Sequence, residues 1–530
     1  MRPVFLGDAP LTEATKIKIP HFESDELNPK VLKLLEIIQQ MSEVIQQLRD
    51  EIADLKGHKR KPPFKPSRME KETSEGKEEN EGGGLRHGSS KKSKTENLVI
   101  HETVVIPPKL IPGGSVFKGH KEYFVQGLKI ETHNTLYKLE RWQTPSGLYV
   151  EGELPSHVAG HFDLALQAYI LYQYNQCHVT QPRLLEQLLE FGIDISSGQV
   201  DRILSNGKDE FHEEKKELLS AGLKVSDYIQ VDDTGARHDG KNGYCTVICN
   251  DHFTWFGSTC LKSRINFLEL LRGNQIDYVI NEEALTYMRE EELPPFRLKQ
   301  LQYGYFQDIK QWHEYLNNIG AEGERHRRIL TEGALVGSLF HHGFNPDLAI
   351  LSDDAGQFNI FSHALCWIHA ERIIHKLVPL WEGHRTDLEN VRKQIWAFYK
   401  ELKAFKFEPG KRKKRRLERR FDAIFTQITC FATLNCALKR LHKNKKELLL
   451  VLDRPEIPLH NNGSERDIRE FVTRRKISGG TRHERGKKAR DTFTSLKKTC
   501  RKLGISFWQY LLDRLYGKKQ IPYLPNLLYT

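Results

Sequence analysis

The sequence predicts an α/β fold: a mixed sheet with large helical inserts, preceded by a coiled coil and a mainly helical region. Three observations carry this reading. A heptad seam occupies residues 28–56, where Val31, Leu34, Ile38, Met41, Ile45, Leu48, Ile52 and Leu55 step alternately by three and four. Short apolar runs at 228–231 and 348–351 end in carboxylates, and strand-like runs also lie at 244–249, 253–257 and 363–367. Helix-patterned stretches at about 273–345 and 385–450 lie between and after these runs.

Taken in order, residues 1–27 form an N-terminal tail. In the seam of 28–56 the a positions Val31, Ile38, Ile45 and Ile52 are β-branched, and the d positions are Leu34, Met41, Leu48 and Leu55. That choice favours a parallel two-stranded coil, and hence a homo-oligomer, in the first instance a dimer. Asn28, Pro29 and Gly57 suit its N-cap, first turn and end. Ile37 and Val44 at g widen the apolar stripe, which leaves a larger bundle open. Residues 57–98 are charged, broken by Pro and Gly and poor in apolar side chains, so they read as a flexible linker.

Residues 99–226 read as mainly helical after an extended start at 101–112. A hairpin is expected at 137–152 around Pro145-Ser146-Gly147, and a helix at 161–177. Residues 183–205 resemble a helix–turn–helix, whose second helix would offer Ser196, Ser197, Gln199, Asp201 and Arg202 to a DNA groove. An ordinary pair of antiparallel helices is the alternative. The sheet is expected within 227–480. There, three adjacent short strands form an antiparallel meander, a fourth ends at Ser352-Asp353-Asp354, and a fifth lies at 363–367. Asn461-Asn462-Gly463 breaks the chain before a helix that starts near Ser464, and 481–530 form a basic, helical C-terminal region.

Composition narrows the function. The 530 residues carry 81 Lys and Arg against 70 Asp and Glu, a formal charge of +11, which favours a polyanionic partner such as nucleic acid. Eight scattered Cys make no disulfide scaffold. The N-terminus lacks the apolar core of a signal peptide, and no run approaches the ~20 apolar residues that span a bilayer. A cytoplasmic, nucleoid-associated protein without a membrane partner is the expectation.

Three carboxylates stand out by placement. Asp232 and Asp353 each end an apolar strand, and Glu465 begins a helix after a turn. Carboxylates so placed can converge on one sheet edge, where hard oxygen ligands suit two Mg²⁺ or Mn²⁺ ions acting on a phosphodiester. Strand alternation puts Asp232 and Asp233 on opposite faces, and likewise Asp353 and Asp354; the first of each pair is preferred. Cys366-x-x-His369 has the spacing of metal ligands, and a zinc site shared with Cys245 and Cys249 is one reading. A structural role, with His369 supporting the second aspartate's strand, is the other. Arg466, Arg469, Arg474, Arg475 and Lys476 flank Glu465, and Arg485, Lys487 and Lys488 follow a Gly-Gly turn. These, with the run at 411–420, are candidates for phosphate contacts. Trp312 and Trp396 are either core residues or platforms for an unpaired base.

Local words raise this pattern to a resemblance. VDDTGARHDGKNGYC at 231–245, LSDDAGQF at 351–358, CWIHAER at 366–372 and NNGSERDIREFVTRRKISGG at 461–480 resemble insertion sequence 66 family transposases of the DDE class. The resemblance covers most of 100–515. It implies an RNase H-like catalytic domain with Asp232, Asp353 and Glu465 as catalytic metal ligands. It also implies DNA partners, both element ends and target, and cleavage followed by transfer of the 3′-hydroxyl strand. Accessory transposition proteins are a further potential partner. Asp233 stands where the family usually has Glu, Asp354-Ala355 where it has Gly and Tyr, and no Cys-rich N-terminal zinc motif is visible. An RNase H-like nuclease without strand transfer, or a non-catalytic DNA-binding derivative, are the competing readings.

Overall fold

The computed structural model describes residues 99–529 except 122, 156, 157 and 159, so the expected tail, coiled coil and linker lie outside the described residues. From 99 the chain is extended and almost entirely exposed as far as the hairpin of β1 (Arg141–Gln143) and β2 (Tyr149–Glu151). Four helices follow: α1 (Leu164–Asn175), α2 (Gln181–Glu190), α3 (Ser197–Ser205) and α4 (Asp209–Val225). Asp163 and Ser196 cap α1 and α3 by accepting from the backbone N–H three residues on. Leu184, Leu188, Val200, Ile203 and Leu204 bury the inner faces of α2 and α3, the anticipated helix pair.

The meander is β3 (Tyr228–His238), β4 (Lys241–Cys249) and β5 (Thr254–Thr259). Then come α5 (Arg264–Arg272), β6 (Tyr278–Ile280), α6 (Glu282–Glu290), α7 (Pro295–Gln300), β7 (Gly304–Phe306), α8 (Ile309–Asn318) and α9 (Glu324–His341). After β8 (Ala349–Ser352) and β9 (Ser362–Leu365) the chain is helical. It forms α10 (Trp367–His375), α11 (Glu382–Phe407), α12 (Lys411–Phe425), α13 (Ala432–Lys443), α14 (Lys445–Leu448), α15 (Asn462–Ser478), α16 (Glu484–Lys502) and α17 (Phe507–Tyr516). The five-stranded sheet has the order β5-β4-β3-β8-β9, with β8 parallel to both β3 and β9 and the other pairs antiparallel. Two expectations shift. Asp232 does not end its strand, because β3 runs on to His238, paired with β4 throughout and bridged at its far end by Thr481. The fifth strand stops at Leu365, and Trp367 opens α10.

Side-chain alternation gives the sheet two different faces. Ile229, Val231, Ile248 and Trp255 join a large core that includes residues of α4, α5 and α9. Ala236, Cys245, Val247, Cys249 and Phe256 meet Ile468 and Phe471 of α15 on the other face. The first helical insert belongs to the large core: Trp312 is fully buried, stacks on Tyr278 at 5.5 Å and donates to Thr331, so it is a packing residue. The second insert has its own core, in which Phe398, Phe421 and Phe425 surround Trp367, with Trp396 packed against its margin.

The outer edge of the sheet is covered by a helix. The outward N–H groups of Thr254, Phe256 and Ser258 donate to Thr499 Oγ1, Ser495 Oγ and Asp491 Oδ2 at 3.1, 2.9 and 2.9 Å. Two strand residues rise ~6.7 Å and four helical residues ~6 Å, so residues spaced by four on α16 meet alternate residues of β5. Lys497, Lys498 and Lys502 on the same helix pair with Asp467 and Glu470 of α15, so part of the chain's positive charge is spent internally. Among the described residues no helix is long and apolar enough to cross a membrane.

Candidate active site

The carboxylates gather where β3 and β8 part. Parallel pairing ends at Gln230 and Leu351, and Asp232 and Asp353 stand two residues beyond those partners. Asp232 shares its face with Val247 and Phe256, the face covered by α15, which carries Glu465 in its first turn. Helix α15 is clamped to β3 beside the aspartate. Asn461 Nδ2 donates to the Val231 carbonyl at 2.8 Å, and the Ser464 N–H donates to Gln230 Oε1 at 3.2 Å. Glycine at 463 suits this approach, because a Cβ there would meet Gln230 Oε1, the atom that accepts from Ser464, and push that side chain aside. Burial, and next the charge of Asp353, push the Asp232 carboxyl up to about 7. Asp233 and Glu465 add to that rise, against a hydrogen bond from the Asp233 N–H.

The neighbouring aspartates are engaged elsewhere. Asp233 pairs with Lys262 at 3.0 Å and accepts from Gln357 at 2.7 Å. Asp354 is exposed and bound by Arg440 and by Asn444 of the second insert. Their partners come from the second insert and from the loops after β5 and β8, and none carried a signal readable in advance.

Glu465 leans towards α10. His369 Nε2 and Arg372 Nη1 lie 3.6 and 3.7 Å from its Oε1, and that buried oxygen has no hydrogen-bond partner. Burial opposes charging of His369, but Cys366, Glu465 and Asp353 outweigh it and its pKa lies above the usual imidazole value. As an imidazolium its Nε2 donates, which favours Glu465 over Arg372 as partner. His369 thus faces the third carboxylate as well as the second. Arg372 escaped notice in the sequence, although it lies one turn beyond His369 on the same helical face. Cys366 is buried and accepts from the Asn461 N–H at 3.3 Å, a structural contact, while Cys245 and Cys249 pack in the core against α15. The donor set of two aspartates and one glutamate, with an orphaned carboxylate oxygen, fits Mg²⁺ or Mn²⁺ in chemical type. Among the described residues no three His, Cys, Asp or Glu side chains stand close enough to hold an ion as they are arranged, consistent with Glu465 being turned to His369 and Arg372.

The basic candidates divide. Arg466, Arg469, Lys476, Arg485 and Lys488 are exposed, with Arg485 donating to Asn206. Lys487 is half-buried and pairs with Glu484. Arg475 turns onto β3, donating to Thr234 and the Gly235 carbonyl. Arg474 corrects the expectation: it is buried, donates to Asn175 at 2.9 Å and lies 4.1 Å over the Tyr174 ring. It holds α15 to α1 and faces no solvent-borne phosphate.

The profile described as Transposase IS66 family matches residues 159–273 and 345–489, which hold all three carboxylates and skip most of the first insert. A curated protein of Sinorhizobium fredii, named uncharacterized protein y4jO, is 46% identical over 303 residues, covering 56% of this chain and 94% of that one. The sheet, its carboxylate-bearing edge and these matches define a transposase-type protein. The chain belongs to the IS66 transposase family.

Proposed function

We propose that this chain is a DDE-type DNA transposase with an RNase H-like catalytic domain, which cleaves element ends and joins the freed 3′-hydroxyl to target DNA. The observation that supports the reading is the placement of Asp232 and Asp353 two residues beyond the last paired residues of β3 and β8, beside the helix that carries Glu465 in its first turn. Asp232, Asp353 and Glu465 would hold two Mg²⁺ or Mn²⁺ ions. Such ions supply activation of the attacking oxygen and stabilisation of the leaving one. The chain's own part is positional. The Asn461–Gly463–Ser464 clamp fixes the start of the glutamate helix against β3, and His369 and Arg372 stand beside the Glu465 carboxylate from α10. Exposed Arg466, Arg469, Lys476, Arg485 and Lys488 and the run at 411–420 would hold DNA phosphates, with sequence-independent, salt-sensitive affinity.

The test is metal-dependent nicking and strand transfer on labelled element-end DNA. Asp232→Asn, Asp353→Asn and Glu465→Gln should each abolish both reactions while leaving DNA binding intact. Asp233→Asn and Asp354→Asn, whose carboxylates are already engaged elsewhere, should keep most activity. Full activity in the Glu465→Gln protein would refute the assignment.

A further inference from the structure

On the opposite side of the sheet from Asp232 lies a cavity of about 440 Å³, between α4, β5, α5 and the start of α16. The placement follows from register. Asp232 pairs with Val247 and Val247 with Phe256, whereas the cavity residues Trp255 and Gly257 pair with Ile248 and Thr246 and so point the other way. The size lies within the range of small-molecule sites, roughly 300–1,000 Å³.

Its lining is cationic: Lys215, Lys216, Arg485, Lys487 and Lys488 contribute. Three of these are engaged, Lys216 with Glu213, Lys487 with Glu484 and Arg485 with Asn206. Lys215 and Lys488 have no carboxylate at ion-pair distance among the described residues. Three carboxylates also line it: Asp491 accepts from the Ser258 N–H and hydroxyl, Glu484 pairs with His238 and Lys487, and Glu269 accepts from Asn266 Nδ2 at 3.3 Å, so the cations outnumber the acids five to three. Trp255 is 7% exposed, and its buried indole N–H has no acceptor. The Lys215 ammonium sits 4.3 Å over that ring. An indole N–H without an acceptor, beside two lysines that have no ion-pair partner, is what an anionic oxygen ligand would satisfy.

We propose that this cavity binds a phosphoryl group, with Lys215 and Lys488 as its cations and the Trp255 indole as a neutral donor. A free polyphosphate or a phosphate of a DNA strand offers the same chemistry. Isothermal titration of the full chain in magnesium-free chloride buffer separates the two, with pyrophosphate in one arm and a short duplex in the other. The duplex arm rests on the DNA-binding reading above, and the pyrophosphate arm does not. Saturable pyrophosphate binding, weakened about tenfold by Lys488→Ala and by Lys215→Met but kept by Lys215→Arg, is the expected result and identifies a free ligand. Loss confined to duplex binding, in both variants, supports the site and assigns the phosphate to a strand. Lys488 is exposed, so its variant should fold; an unchanged thermal midpoint checks this. If neither ligand senses Lys215→Met in a folded protein, the proposal fails, even if Lys488→Ala weakens duplex binding at the surface.

Discussion

Arg474 shows how far a residue's role depends on the face it occupies. Five basic residues follow Glu465 within eleven positions, and density alone made all of them candidates for phosphates. The helix turns Arg466, Arg469 and Lys476 outward and Arg474 inward. Arg474→Ala should therefore cost about 2–4 kcal/mol of stability, because it strands Asn175 and removes a guanidinium–ring contact. Urea unfolding measures this, while the salt slope of DNA binding should stay unchanged. Two buried histidines set the acid side of the stability curve. Burial lowers His212 and His363 from an ordinary 6.5 to about 4. The unfolded chain takes up these protons first, so the stabilisation is complete above 6.5 and is lost as pH falls towards 4, on the order of 3 kcal/mol for each. Urea midpoints measured between pH 4 and 8 should fall less steeply in His212→Gln than in the parent.

At the scale of elements, α16 acts as a sixth, helical neighbour of the sheet. Ser495→Ala leaves the Phe256 N–H buried without an acceptor and should cost about 1–3 kcal/mol. Thr499→Val should cost a similar amount, and both are read from urea midpoints. Neither contact was legible in the sequence, where 481–530 appeared only as a basic helical region. The strands themselves were legible, because Tyr228–Val231 and Leu348–Leu351 are apolar runs bounded by carboxylates. The far half of β3 was not: Thr234-Gly235-Ala236-Arg237-His238 lacks strand-like apolarity, and pairing with β4, with Thr481 at its far end, keeps it extended. Asp232, Asp353 and Glu465 were singled out from the sequence by their places beside strands and a helix start, but the partners that occupy Asp233 and Asp354 come from tertiary packing, which periodicity does not encode.

For the whole molecule, the expectation of association comes from the sequence of residues 28–56, which lie outside the described residues. The uninterrupted seam of eight apolar residues predicts a dimer or larger assembly. Ile38→Asp with Ile45→Asp should bury charge in the seam and reduce the mass seen by light scattering to that of one chain. An unchanged mass would remove the prediction. Association through this segment would bring two carboxylate edges into one particle, as processing of two element ends requires.

The second insert leaves the sheet and returns to it side by side, with Leu450 near its end packed on Ala349, Leu351 and Ala364. The Trp367 N–H donates to the Leu459 carbonyl at 3.0 Å, and the Asn461 N–H to Cys366 Sγ. The intervening helices pack around their own aromatic core. Glu465 is therefore registered by the knot at its root and not by the body that hangs from it. Evolution is free to enlarge, shorten or exchange that body as a cassette, since closing a longer loop costs only ~0.6 kcal/mol per doubling of its length. Residues that reach back to the sheet, Arg440 and Asn444 at Asp354 and Leu450 on β8 and β9, are the ones such exchanges would have to keep.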